Sequence, residues 1–273
     1  MKAALVTEYR KLVTTRLWWV LLLCFAAYMV FLGAMMAFVM TDPAQQGGMS
    51  GGLGGDAPPP MDAKTVARTV YTLAPSLGYV FPAIVGALSV TTEFRHKTLT
   101  PTFLAEPRRT TVLGAKLLAS LPVGLLFGIV GTVSTVIGGA AVLAIKGEPT
   151  FLADASVLRS LGLCILVLAV WCMLGVGFGT ALPNQVAAIV VLLAFTQFVE
   201  PLLRILLALS DTTAGIAKFL PGAAGEAATG GSFYASSGLG DLLPWGVGLA
   251  VLVAYGVGLS LLGRATTIAR DVT

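Results

Sequence analysis

The chain has 273 residues, 56% of them hydrophobic and only 11% charged, against roughly 25% charged in an ordinary soluble domain. That balance excludes a soluble globular domain and points to an all-α integral membrane protein. The excess of 17 basic over 13 acidic residues bears on placement in a bilayer and not on nucleic-acid binding.

The N-terminal stretch "MKAALVTEYRKLVTTRLWW" does not read as a signal peptide. Its charged region extends to Arg16, the apolar run after it is too long, and no small-residue cleavage site follows. Residues 17–40 are therefore expected as a retained first span. Within residues 8–19, Tyr9, Leu12 and Val13 are expected toward lipid. Arg10, Lys11 and Arg16 suit anionic headgroups, and Trp18 and Trp19 mark the interface. This fits an interfacial helix bending into the first span and equally a positive-inside anchor; the two do not exclude each other.

A bilayer core of about 30 Å needs roughly 20 apolar residues in a helix. Six stretches qualify, at about 17–40, 69–90, 111–136, 158–180, 186–208 and 244–263. The third has an uncertain end and extends as far as Ile145 on one reading. Pro75 and Pro82 are expected to bend the second span and Pro122 to kink the third. Residues 41–68, rich in glycine and proline, read as flexible. Residues 146–157 form a short acidic link, and "LPNQ" at 182–185 a tight turn. Residues 209–243 are oddly apolar for a loop, which fits short helices dipping into the outer membrane face, or an ordinary exposed loop.

Charge sets the orientation. The N-terminus, the 91–116 region and the C-terminus hold eleven basic and four acidic residues, a balance of +7. The opposite segments hold five basic and eight acidic residues, a balance of −3. Both termini are therefore expected in the cytoplasm, and an even number of spans agrees with that.

Chemical motifs are absent. "LGAKLL" at 113–118 lacks the spacing of a phosphate-binding loop, no HExxH or serine-hydrolase elbow occurs, and His96 is the single histidine. No metal or other cofactor is expected in this chain. Cys24, Cys164 and Cys172 lie in apolar runs and read as small core residues. Glu200 and Arg204 stand four apart and share a helix face. They read as a structural pair at the end of the fifth span, or as part of a substrate path or outer gate. "GLLFG" at 124–128 and the glycines of 175–179 and 246–258 suit close helix packing or an oligomer seam.

The polar island "TTEFRHKTLTPTFLAEPRR" at 91–109 stands between two spans. Thr91 or Thr92 is expected to cap a helix opening at Glu93, and Thr100–Pro101 to start a second. Phe94, Leu99, Phe103 and Leu104 supply apolar anchors; Arg95, Lys97, Arg108 and Arg109 supply a positive rim. The residues alone fit a docking surface and a charged connector equally.

"EYRKLVTTRLWW" at 8–19, "EFRHKTL" at 93–99, "EPRR" at 106–109 and "FVEPLL" at 198–203, in this order around six spans, resemble the permease subunits of ABC-2 type bacterial exporters. The likeness extends over nearly the whole chain and departs at Lys97, where many relatives carry glycine. It implies one transmembrane domain over 1–273, with an N-terminal interfacial helix, a cytoplasmic coupling helix in 91–110 and a re-entrant outer segment in 209–243. It also implies a location in the bacterial plasma membrane, and a second permease subunit, identical or different, as partner. A separate ATPase subunit would bind ATP and magnesium, so this chain would not itself be an enzyme. Glu93 and Arg95 become the main candidates for coupling to that ATPase, with Thr98, Arg108 and Arg109 secondary. The implied activity is outward movement of a small amphipathic compound, peptide or lipid by alternating access. The alternatives are an ATP-independent channel or secondary transporter, or a membrane enzyme or assembly scaffold.

Overall fold

The computed structural model describes residues 2–14, 17–42, 62–209, 211–232, 235 and 242–268. Arg16, Arg270, Asp271, most of the glycine- and proline-rich segment and residues 236–241 lie outside them. The described residues form helices joined by short turns and contain no strand. In chain order the helices are α1 (Lys2–Thr14), α2 (Leu17–Thr41), α3 (Ala63–Tyr71), α4 (Val80–Arg95), α5 (Leu99–Ala105), α6 (Arg109–Ile145) and α7 (Ala155–Ala181). They continue with α8 (Gln185–Ala194), α9 (Glu200–Ala208), α10 (Asp211–Ala217), α11 (Pro221–Thr229) and α12 (Trp245–Gly263). Three π-helical segments, Ala74–Gly78, Phe195–Val199 and Arg264–Ile268, interrupt or extend them.

Six of these units are long and apolar enough to cross a bilayer: Trp18–Thr41, Ala63–Arg95, Arg109–Ile145, Ala155–Ala181, Gln185–Ala208 and Trp245–Thr267. The chain is therefore a multi-pass membrane protein. The second span is longer than the apolar stretch at 69–90. Asp62 caps α3, its carboxylate accepting from the Thr65 backbone N–H at 3.3 Å, so the helix starts six residues earlier than hydropathy suggests. The third span does reach Ile145 and stays helical through Pro122. Near Pro75 the second span turns π-helical.

α7 is the central helix. It packs against α4, α6, α11 and α12, while α2 packs on the far side of α6. Glycines allow these approaches: a Cβ on Gly124 would stand 2.7 Å from Ala169 Cα, and one on Gly128 2.6 Å from Ile165 O. Tyr79 stacks on Trp171 at 4.2 Å between ring centroids, and Phe25 lies 5.8 Å from Phe127. Cys164 and Cys172 are buried as expected, but Cys24 is exposed, because it lies on the outward side of α2.

Cross-links define two ends of the bundle. Arg95 reaches Gln185 and Thr267 reaches the Ala181 carbonyl at the end that also carries α1 and α5. At the other end Lys64 pairs with Asp154, and the Tyr71 hydroxyl donates to the Thr150 carbonyl at 2.9 Å. α11 enters the bundle there: all nine of its residues are buried against α7, α12 and the Ala74–Gly78 segment.

Candidate functional site

The first polar centre forms where α1, the end of α4, α5 and the start of α6 meet. Lys11 Nζ lies 2.7 Å from Glu8 Oε1 and 2.8 Å from Glu93 Oε1. Lys116 Nζ lies 2.5 Å from Glu8 Oε2 and 2.9 Å from Glu93 Oε2. The four side chains close an alternating ring of carboxylates and ammoniums with no net charge. Glu8, Glu93 and Lys116 are buried. Lys11 reaches outward and donates to Thr102 Oγ1 of α5 at 3.3 Å. Burial by itself would push the Lys11 ammonium down, but its bonds to Glu8 and Glu93 outweigh that and hold it above its ordinary value.

The island takes a different shape from the one expected. α4 runs without a break from Val80 through Glu93 to Arg95, so Thr91 and Thr92 are helix-interior residues and cap nothing. The Thr91 hydroxyl instead donates back to the Ala87 carbonyl at 3.0 Å. The helix ends in a Schellman turn: Lys97 N–H donates to Phe94 O at 3.2 Å and Thr98 N–H to Glu93 O at 3.0 Å. Lys97 occupies the left-handed position, with φ of 55°. α5 follows as the single short helix of the island. Its Leu99 is buried, whereas Leu104 is 80% exposed and is not an anchor among the described residues.

The other candidates are spread around this centre. Arg95 is exposed and donates to Gln185 Oε1 at 3.3 Å, while Thr98 and Arg108 are exposed. Arg109 lies over the Phe103 ring at 5.4 Å. Arg10, Tyr9 and Trp19 are exposed, but Leu12 packs against the core, so that face of α1 turns to the bundle and not to lipid, and Trp18 at the start of α2 packs there too. A cavity of ≈ 600 Å³ opens beside the ring, with Leu12, Trp18, Leu21, Val85 and Leu88 as its apolar wall and Arg95, His96 and Gln185 at its polar side. That size suits a small molecule.

The second polar centre lies inside the bundle. Glu200, Arg204 and Glu226 are 0%, 5% and 1% exposed. Arg204 donates to Glu200 Oε1 at 2.9 Å and to Glu226 Oε1 at 2.9 Å. Glu200 Oε1 also accepts the backbone N–H groups of Gly222 and Ala223 at 2.6 and 3.1 Å. These are orphan donors of the first turn of α11, which opens with Pro221, so a carboxylate from another helix caps it and complements its dipole. Ser232 donates to Glu226 Oε2. The π-helical segment Phe195–Val199 is followed by Glu200 and Pro201 in the first turn of α9, which makes this a helix junction.

Glu8, Lys116 and Glu226 escape the sequence reading. Their one local signal is a lone charge in an apolar run, "LGAKLL" for Lys116 and "AAGEAA" for Glu226. Their partners lie 108 and 22 residues away. Among the described residues no group of three or more His, Cys, Asp or Glu is placed to hold a metal ion.

No protein-family model matches the chain, and comparison with curated proteins finds no match.

Proposed function

We propose that the chain is the membrane-spanning permease subunit of an ATP-driven exporter of the ABC-2 type. In this reading α1 is the interfacial connecting helix, α5 the coupling helix, and α10–α11 the re-entrant outer segment. Both termini face the cytoplasm of a bacterial cell. A separate ATPase binds ATP and magnesium and docks on the α5 end, and a second permease subunit completes the pathway. The cargo is a small amphipathic compound, a peptide or a lipid, moved outward by alternating access.

The observation that carries the reading is the bracing of α5. Its inner side holds buried Leu99 and the Thr102 hydroxyl bonded to Lys11, a member of the closed ion ring. Leu104 on the same helix is exposed, and so are Arg95 and Lys97 before it in the chain and Arg108 after it. An apolar knob in a cationic rim suits a protein partner. A push on α5 passes through Lys11 to Glu93 and Lys116, which stand on the second and third spans. Glu93 therefore transmits through the ring, and Arg95 is the better candidate for direct contact.

The test reverses charge at Arg95 and truncates Leu104 in separate variants, followed by co-purification with the ATPase and by ATP turnover. Membrane insertion should persist while ATPase binding or transport-linked turnover falls. Unchanged assembly, turnover and transport in both variants would sink the assignment.

One observation favours a second reading, an ion-coupled secondary transporter: the buried Glu200–Arg204–Glu226 centre supplies the ionisable network that such carriers use. Transport by this chain alone, in vesicles with an imposed ion gradient and no ATPase, would select it.

A further inference from the structure

Glu200 divides its labour unevenly. Oε1 accepts from Arg204, Gly222 and Ala223, a load that suits an ionised carboxylate. Oε2 is buried without a hydrogen-bond partner. Such an oxygen is costly unless something fills its lone pairs. Glu200 also lines a cavity of ≈ 110 Å³, together with Ser76, Leu77, Tyr79, Thr196, Gln197, Pro201 and Arg204.

The wall of that cavity is rich in acceptors. The hydroxyl of Ser76 donates to Thr72 O at 3.4 Å, that of Thr196 to Leu192 O at 2.8 Å, and that of Tyr79 to Thr196 O at 3.0 Å. With their protons spent on backbone carbonyls, the Ser76 and Thr196 hydroxyls keep lone pairs to offer the cavity. Arg204 donates to Glu200 Oε1 and Glu226 Oε1, and among the described residues of this cluster two carboxylates face one guanidinium, an excess of one negative charge. Both flanking segments, Ala74–Gly78 and Phe195–Val199, are π-helical. That geometry is rare and recurs at functional sites.

We propose that this cavity binds one small monovalent cation of sodium size, held by Glu200 Oε2 and the neutral oxygens of Ser76, Thr196 and Gln197. Its volume is far below the roughly 300–1,000 Å³ of organic ligand pockets, which leaves room for an ion and a few waters. One excess charge balances a monovalent ion and not a divalent one. A proton on Glu226 would neutralise the cluster but leave Glu200 Oε2 without a donor. The bound ion joins the second and fifth spans at the point where Glu200 caps α11, so its occupancy sets how firmly α11 docks. This site is independent of whether an ATPase drives the protein.

The test uses the purified full-length chain in lipid nanodiscs, with thermal unfolding followed in sodium chloride and in choline chloride at equal ionic strength. Sodium should raise the midpoint saturably and choline should not. Glu200→Gln should abolish the sodium effect. A second variant, Ser76→Ala with Thr196→Val, keeps every bond of Glu200 to α11 and should weaken apparent sodium affinity about tenfold or more. Equal midpoints in both salts would overturn the proposal, leaving water as the occupant. A dependence on pH alone would overturn it in favour of a proton. An unchanged sodium effect in the double variant would place the ion elsewhere. None of these readouts depends on transport or ATP turnover.

Discussion

Lys97 shows how one residue carries a local cost. A left-handed backbone costs a residue with a Cβ roughly 1–2 kcal/mol, and glycine avoids it. With φ of 55° at the end of α4, Lys97→Gly should stabilise the protein by about 1 kcal/mol, less some gain in unfolded-chain entropy. A small rise in unfolding midpoint would show it; a fall would mean that the Lys97 side chain itself matters. Arg204 stands at the other extreme. Arg204→Ala strands Glu200 and Glu226 inside the bundle, and breaking a buried pair in this way costs about 3–5 kcal/mol. A midpoint shift within the range of ordinary surface substitutions would contradict the burial described above.

At the scale of elements, the helix seams rest on glycine where backbones touch. Gly128→Val should disrupt the α6–α7 seam, since a Cβ there meets Ile165 O at 2.6 Å, whereas nothing lies within 4 Å of a Cβ on Gly258. Gly258→Ala should leave the monomer's stability nearly unchanged; a large loss would place another chain against that face. The first turn of α7 depends on charge. Asp154 is held below the usual carboxylate range by its hydrogen bond from Lys64 and then by the Ser156 hydroxyl and N–H. A depressed folded value means that its stabilisation is complete above the ordinary carboxylate pKa of about 3.9 and fades as pH falls through the lower folded value. The stability gap between wild type and Asp154→Asn should therefore persist from neutral pH into mild acid and close only in strong acid. A gap that closes near neutrality would refute that assignment. The same physics explains why α3 starts at Ala63: Asp62 caps it, a local signal that hydropathy does not register.

For the whole molecule, the ion ring makes a prediction about coupling. Lys116→Met alone leaves the ring with a surplus carboxylate and should cost about 3–5 kcal/mol. Lys116→Met with Glu93→Gln leaves Glu8 and Lys11 as a neutral pair and should cost less than the single change. Additive losses in thermal unfolding would deny that the four residues act as a unit. The spans were legible in the chain because crossing a bilayer needs a run of apolar residues, and such a run is a property of neighbours in sequence. Lone charges inside apolar runs were visible too, at Lys116, Glu200 and Glu226. Their meaning was not. Lys11 meets Glu93 across 82 residues and Lys116 meets Glu8 across 108. No periodicity links positions so far apart. Sequence by itself determined a six-span helical membrane protein with a polar island after its second span. Only the tertiary structure decided that the island's helix is tied to the N-terminus through a buried ring, and that Glu200 caps a helix inserted into the bundle. Hydropathy is set residue by residue, whereas a buried charge is tolerated only where the fold brings its partner.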